Sequence, residues 1–272
     1  MNAQKDILLV TVLYNERIGD TRTYRTLLQG CENVLVIENS PKPLNDGCSL
    51  PASWSYVSFP QNPGLGAAYN YAAGFARQHG FGWLLLTDQD TSFPAGILEK
   101  YRAAVEANPS VGLFCPQVAI GERRFMSPVP MVRYRCRIRH SAPVGMIDLG
   151  RFGIINSGML IRLSAFEAAG GYRPEVALDF ADFQFLERFR QVADKAFVID
   201  AVCRQTFSNE VQTTEQKMER YRLFCRSLRN FVCADSKDRK YIRRIVFGRA
   251  GSLALSEKTL RPFKIFHTDF LR

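Results

Sequence analysis

The chain has 272 residues, with 36 Lys and Arg against 26 Asp and Glu, a formal net charge of +10, 46% hydrophobic and 23% charged residues. That is the composition of a folded globular protein long enough to bury a sizeable core, and it excludes disordered, collagenous and low-complexity classes. No apolar run reaches the roughly 18–20 residues of a membrane-spanning helix, and the seven scattered cysteines, never spaced C-x-x-C, read as reduced thiols and not as a disulfide frame or zinc site.

Residues 1–6 are polar and lack the pattern of a secretory signal, so a cytoplasmic location is expected. Apolar runs at 7–14, 33–37, 55–59 and 83–87 are predicted strands, with intervals that hold a helix or a short loop. Such alternation points to an α/β fold with a mostly parallel sheet. Between the third and fourth runs, Asn62-Pro63-Gly64-Leu65-Gly66 leads into residues 67–78, where Ala68, Tyr71, Ala72 and Phe75 fall at helical spacing and predict a helix lying on the sheet.

The fourth run ends Leu84-Leu85-Leu86-Thr87-Asp88-Gln89-Asp90. Residues i and i+2 of an extended segment project to one side, so Asp88 and Asp90 can present carboxylates to one ligand while Gln89 turns away. Two hard oxygen donors suit Mg2+ or Mn2+ completed by water and phosphate oxygens. The same aspartates also suit a strand-end turn in which they accept local backbone N–H groups.

A helix is predicted at 94–108 and a strand at 111–116, then a basic, proline-interrupted stretch at 121–148 read as loops and short strands covering the site. Asn156-Ser157-Gly158 precedes an apolar run at 159–161, a helix and the turn 169–172. Phe180, Phe183, Leu186 and Phe189 mark an amphipathic helix, and 196–202 a last strand. From residue 216 the chain turns helical, basic and aromatic. The expected organisation is a catalytic domain over 1–210, with halves at about 1–115 and 116–210, followed by an extension over 211–272. The late cluster of basic residues suits nucleic acid, an anionic membrane surface or a phosphorylated substrate, or is only a solvated face. Its aromatics Tyr221, Phe224, Phe231, Tyr241 and Phe247 either meet a leaflet or pack the helices onto the domain.

Taken together, the elements resemble the family 2 glycosyltransferases of the GT-A fold, especially the bacterial rhamnosyltransferase-like branch, over roughly residues 7–235. Val10-Thr11-Val12-Leu13-Tyr14-Asn15-Glu16 resembles that family's opening strand and turn around the nucleotide base. Val36-Ile37-Glu38-Asn39-Ser40 resembles its second strand end, whose carboxylate faces the nucleoside. Asn62 to Asn70 resembles its N-x-G-x-x-x-A-x-N turn, in which glycines such as Gly64 and Gly66 permit close backbone approach. Thr87-Asp88-Gln89-Asp90 resembles the branch's D-Q-D metal motif.

The resemblance implies a GT-A nucleotide-sugar-binding fold, with a mostly parallel central sheet flanked by helices and a C-terminal helical extension. It implies a nucleotide-sugar site of Thr11, Tyr14, Asn15, Glu16, Glu38, Asn39, Asn62, Gly64, Gly66, Asn70, Asp88 and Gln89. Asp88 and Asp90 would hold Mg2+ or Mn2+, with arginines such as Arg151 or Arg226 beside the diphosphate. Asp182 takes the general-base position, with Asp179 its rival or else a helix N-cap, and Asn156, Ser157, Gly158 and Asp179 lie on the acceptor side.

The implied activity is inverting transfer of a sugar, rhamnose from dTDP-rhamnose favoured, to a hydroxyl of a lipid-linked or other glycan in bacterial polysaccharide or lipopolysaccharide assembly. The enzyme would sit peripherally on the inner face of the cell membrane through its basic C-terminal segment. Two departures stand out. Gln184 occupies a position that is often acidic in the family, and Thr206-Phe207-Ser208-Asn209-Glu210 lacks the histidine many members carry after the last strand. A dinucleotide oxidoreductase is disfavoured because Tyr14-Asn15-Glu16-Arg17 offers no G-x-G-x-x-G. No motif supports specific nucleic-acid binding, and a catalytically silent sugar-nucleotide binder is the remaining alternative.

Overall fold

The computed structural model describes residues 7–121, 124–206, 213–233 and 235–272. In chain order the strands and helices are β1 (Ile7–Leu13), β2 (Val34–Glu38), β3 (Trp54–Ser58), α1 (Leu65–His79), β4 (Trp83–Asp88), β5 (Thr91–Ser92), α2 (Ile97–Ala107), β6 (Leu113–Ile120), β7 (Arg124–Ser127), β8 (Val129–Val132), β9 (Arg135–Cys136), β10 (Gly145–Asp148), β11 (Phe152–Gly153), β12 (Met159–Arg162), α3 (Leu163–Ala168), α4 (Ala181–Phe189), β13 (Lys195–Gln205), α5 (Thr214–Asn230), α6 (Ser236–Ser256) and α7 (Arg261–Ile265).

The main sheet runs β10-β13-β6-β12-β4-β1-β2-β3, with β5 added beside β13 and β7 beside β6. Strands β3, β2, β1 and β4 are mutually parallel, and every residue of β1 and β2 is buried, as strands covered on both faces require. Beyond them the sheet becomes mixed. β12 runs antiparallel to both β4 and β6, while β6 and β13 are parallel.

Helix α1 lies on the sheet, turned from the expected face. Tyr71 is 43% exposed, and the buried stripe is Ala68, Tyr69, Ala72, Ala73 and Ala76. The alanines let the helix sit close to Leu8, Val10, Leu84 and Leu86, which leaves one large side chain, Tyr69, directed at the end of β4. On the opposite face a second core gathers Leu9, Leu85, Ile97, Tyr101 and Phe114.

A third core belongs to the C-terminal helices. Tyr221, Phe224, Phe231, Ile242, Val246 and Phe266 are buried with Tyr134, and Met131, Phe180 and Phe183 pack against them. Packing therefore accounts for three of the five late aromatics, while Phe247 is 52% exposed. Several of the late cations are paired, Arg226 with Asp269 at 3.0 Å and Lys217 with Glu257 at 2.7 Å. A boundary at residue 210 falls outside the described residues. Among those described, no helix is long and apolar enough to cross a membrane.

Candidate functional site

Parallel pairing of β1 with β4 sets Val12 opposite Asp88, so Asp88 emerges at the carboxyl edge of the sheet. The chain then turns through Gln89 and Asp90 into β5, which pairs with the end of β13 and sets Gln205 opposite Thr91. Gln205 Nε2 donates to Asp90 Oδ1 at 2.9 Å and reaches Asp88 Oδ2 at 3.5 Å, while Tyr69 Oη reaches Asp88 Oδ1 at 3.5 Å. Helix α4 contributes Asp182 from its first turn, after Phe180 bends the chain at a φ of +65°. Three carboxyl groups from two parts of the chain, the turn after β4 and the start of α4, are thus brought together, with the charges of Asp90 and Asp182 acting on Asp88.

Their titration reflects that crowding. Desolvation pushes Asp88 up to about 7, helped by the negative charges of Asp90 and Asp182 and opposed by the hydrogen bonds from Tyr69 and Gln205. Desolvation likewise lifts Asp182 to about 7, against the 2.8 Å bond from the Phe183 N–H and with the charge of Asp179. Asp90 is raised by desolvation, tempered by Gln205 and by the positive charge of Arg22. A divalent cation would relieve this repulsion. The donors fit Mg2+ or Mn2+, because two carboxylates meet at one amide, Gln205, whose own Oε1 is buried without a hydrogen-bond partner. Among the described residues no three His, Cys, Asp or Glu could hold a metal together, so phosphate oxygens and water would complete the shell. Of the stretch without histidine, residues 207–210 lie outside the described residues.

Several residues expected to line a nucleotide site come together at the exits of β1 and β2, and most are already engaged. Gln89 turns away from the aspartates, as expected, and clamps the β1 exit. Its Oε1 accepts the Tyr14 N–H at 2.8 Å and its Nε2 donates to Glu16 Oε2 at 2.6 Å. The Asn15 N–H donates to Ser40 Oγ at 2.8 Å. Asn39 donates its N–H to Leu13 O at 2.8 Å, and its Oδ1, like Thr11 Oγ1, is buried without a partner.

Glu38 departs from expectation. Its buried carboxylate is already engaged within the protein, accepting Leu44 N–H at 2.7 Å, Tyr56 Oη at 2.8 Å and Asn45 Nδ2 at 3.0 Å. Those bonds hold it below the usual carboxylate range despite desolvation.

Gly64, Gly66 and Asn70 also differ. The backbone that comes close to Gly64 is the protein's own: at φ +90°, a Cβ there would sit 2.5 Å from Ala177 O. At Gly66 it would sit 3.1 Å from Tyr172 Cβ. Asn70 Nδ2 donates to Tyr172 O at 2.9 Å and its Oδ1 accepts the Tyr172 N–H at 2.8 Å. These residues join the two halves of the sheet region by holding the segment 172–177. Asn62, at φ +45°, closes the preceding turn through its N–H to Phe59 O.

Of the residues expected on the acceptor side, Asn156 Oδ1 accepts Tyr172 Oη at 2.6 Å, and Ser157 Oγ donates to Thr91 Oγ1 at 2.8 Å. Gly158 is at φ +80° with Pro116 where a Cβ would go. Asp179 is not the N-cap of α4, which is Phe180. It forms a two-pronged ion pair with Arg220 of α5. Gln184 is buried and clamps the Val232 backbone, accepting its N–H at 2.6 Å. Arg226 is committed to Asp269, and the cation whose charge acts on Asp90 is Arg22.

Sequence reading missed Gln205 and Arg22 and gave Tyr69 no role of its own. The burial alternation Ala201, Cys203, Gln205 continues β13 past residue 202 and is the signal that would have found the first. No local pattern marks Arg22, whose placement depends on its backbone N–H bond to Gln89 O at 3.1 Å.

The profile of glycosyl transferase family 2 matches residues 10–170, more than half of the chain. Comparison with curated proteins gives no match. Among solved structures, the chain is similar to S. aureus TarS, with 14% identity over 89% of this chain and 42% of TarS and a TM-score of 0.52. TarS 1–349 in complex with UDP gives 14% identity over 89% and 69% at 0.50. GalNAc-T7 with UDP, GalNAc and Mn2+ gives 11% identity over 89% and 54% at 0.53. At these identities the likeness is one of fold, and the chain spans about half the length of full TarS and GalNAc-T7.

Proposed function

Since the chain belongs to glycosyl transferase family 2 and is a glycosyltransferase, we propose that its acidic cleft transfers a sugar, with inversion, from a nucleoside diphosphate sugar to an acceptor hydroxyl. The observation that carries this reading is the convergence of Asp88, Asp90 and Asp182, with Asp88 and Asp182 both raised to about 7. A base with a pKa near the working pH combines a useful ionised fraction with the strength to take a proton. Asp182 is that base. It accepts the acceptor's proton as the hydroxyl attacks the anomeric carbon, and a single displacement inverts the configuration.

Asp88 and Asp90 are the residues that would hold Mg2+ or Mn2+, and the ion, when bound, supplies positive charge to the departing diphosphate. Gln205 orients both carboxylates, and Arg22 adds a fixed cation near Asp90. Thr11 Oγ1 and Asn39 Oδ1, buried without partners, are groups a nucleotide can satisfy. TarS and GalNAc-T7 have structures with UDP, the latter also with GalNAc and Mn2+, which supports a nucleotide sugar. The preference for dTDP-rhamnose, for a lipid-linked or other glycan acceptor in polysaccharide assembly, and for a two-part division of the chain near residue 210 rests on the sequence resemblance.

Thermal-shift binding of UDP- and dTDP-sugars, with and without Mn2+, tests the donor site. Wild type is expected to be stabilised by one nucleotide class in a metal-dependent way, and Asp90→Ala to lose the metal-dependent part. Absence of stabilisation by every nucleotide would leave the aspartates a strand-end turn and overturn the donor site, whereas metal-dependent binding without turnover would favour a silent relative.

A further inference from the structure

We propose that the outer face of the β8–β9 hairpin docks on a bilayer surface bearing anionic headgroups, and so holds the acidic cleft against the leaflet. The second clause rests on the transferase reading; the first does not.

The run Arg133-Tyr134-Arg135-Cys136-Arg137-Ile138-Arg139 places a cation at every second residue, the period of an extended chain with two unlike faces. Arg133 and Tyr134 turn the chain at φ +47° and +64°. The register then sets Met131 opposite Cys136 and Val132 opposite Arg135, so these two pairs lie on opposite faces.

The inner face is anchored. Tyr134 is buried with its ring 4.9 Å from that of Phe231. A Cβ on Gly153 would meet Cys136 Sγ at 2.9 Å, Phe183 Cε1 at 3.1 Å and Met131 Sδ at 3.3 Å. Cys136, though exposed, thus lies near Phe183 in the first turn of α4, and the charge of Asp182 acts on its thiol. The hairpin therefore stands beside the turn that carries Asp182.

The outer face has no counterpart in the protein. Arg135, Arg137 and Arg139 are exposed and, among the described residues, form no ion pair, whereas Arg133 is held by Asp238 at 3.0 Å. Val132 is 62% exposed opposite Arg135, on the arginines' own face. Cations beside an exposed apolar side chain match a leaflet, which offers both negative headgroups and hydrocarbon. A soluble polyanion would engage the arginines and leave Val132 in water. The late helices carry a rival surface, with Lys240, Arg243 and Arg244 exposed on α6, but nothing ties it to the cleft.

Each arginine at an anionic leaflet is worth roughly a factor of five in binding, so removing three costs roughly a hundredfold. The test is flotation of the full chain with phosphatidylcholine vesicles, with and without phosphatidylglycerol. Wild type is expected to float only with phosphatidylglycerol and to be released by high salt. The triple variant Arg135→Gln, Arg137→Gln, Arg139→Gln is expected to bind roughly a hundredfold more weakly with its melting temperature unchanged. The α6 triple Lys240→Gln, Arg243→Gln, Arg244→Gln is expected to float like wild type, and Val132→Ser, a milder change, to float more weakly. Wild type failing to float with phosphatidylglycerol, or the hairpin triple floating as wild type, or the α6 triple alone losing binding, overturns the proposal. Nucleotide binding measured without vesicles is expected to be the same in both triples, so loss of flotation and loss of the donor-site reading are separate results.

Discussion

At Asp182 the surroundings trade stability for reactivity. The carboxyl group titrates at about 7 because desolvation outweighs the Phe183 N–H bond. Its folded pKa lies above the ordinary carboxylate value, so between about pH 4 and 7 the folded state keeps a proton that the unfolded state releases, and stability falls as pH rises through that window. Asp182→Asn is therefore expected to raise the melting temperature at pH 8, by about 2–4 °C for each kcal/mol recovered, while lowering kcat roughly 10²- to 10⁴-fold. Calorimetry and initial rates check the pair of outcomes, and a variant that is both active and no more stable would exclude Asp182 as the base. Because the base works ionised, the wild-type rate is expected to rise with pH through about 7.

Among the elements, α4 is the one whose placement has the least local support. Phe180 stands in left-handed backbone that bulky residues rarely adopt, and it is kept there by aromatic contacts with Phe183, Phe224 and Phe231. Two polar ties reinforce them, Arg220 with Asp179 and Gln184 with Val232. The C-terminal helices therefore position Asp182 without touching it. Arg220→Gln leaves the charge of Asp179 without its partner, and that charge already raises Asp182. The acid limb of the rate profile is expected to move to higher pH and kcat to fall, with donor KM unchanged. Arg220→Lys is expected to restore part of the shift. A loss of stability with an unmoved pH profile would make the ion pair purely structural.

For the molecule as a whole, the C-terminal core is closed by residues from earlier in the chain, including Tyr134, Phe180 and Phe183. Removing residues 213–272 would open a large apolar surface around those side chains. Thermal unfolding of the intact chain is expected to be a single transition by near- and far-ultraviolet circular dichroism, and the truncated chain is expected to lose its near-ultraviolet signal first. Two separated transitions in the intact protein would show the extension to be independent. The net charge of +10 is likewise a property of the whole. Arg220, Arg226 and Arg261 are drawn into ion pairs, whereas Arg135, Arg137 and Arg139 form none among the described residues.

The sequence by itself determined the α/β class, the buried strands β1, β2 and β4, the helix α1 and the acidic turn Asp88-Gln89-Asp90, because apolar runs and turn residues act over a few neighbours and leave a local pattern. It also carried the family resemblance, which is a string of such local patterns. Only the tertiary structure decided that β12 enters antiparallel, that Gly64 and Asn70 serve the chain's own segment 172–177, that Glu38 is saturated by Leu44, Asn45 and Tyr56, and that Gln205 bridges two aspartates 115 and 117 residues away. Such partners are chosen by packing and hydrogen-bond satisfaction across long loops, where many residues compete for each buried polar group and the order of the chain does not say which of them arrives.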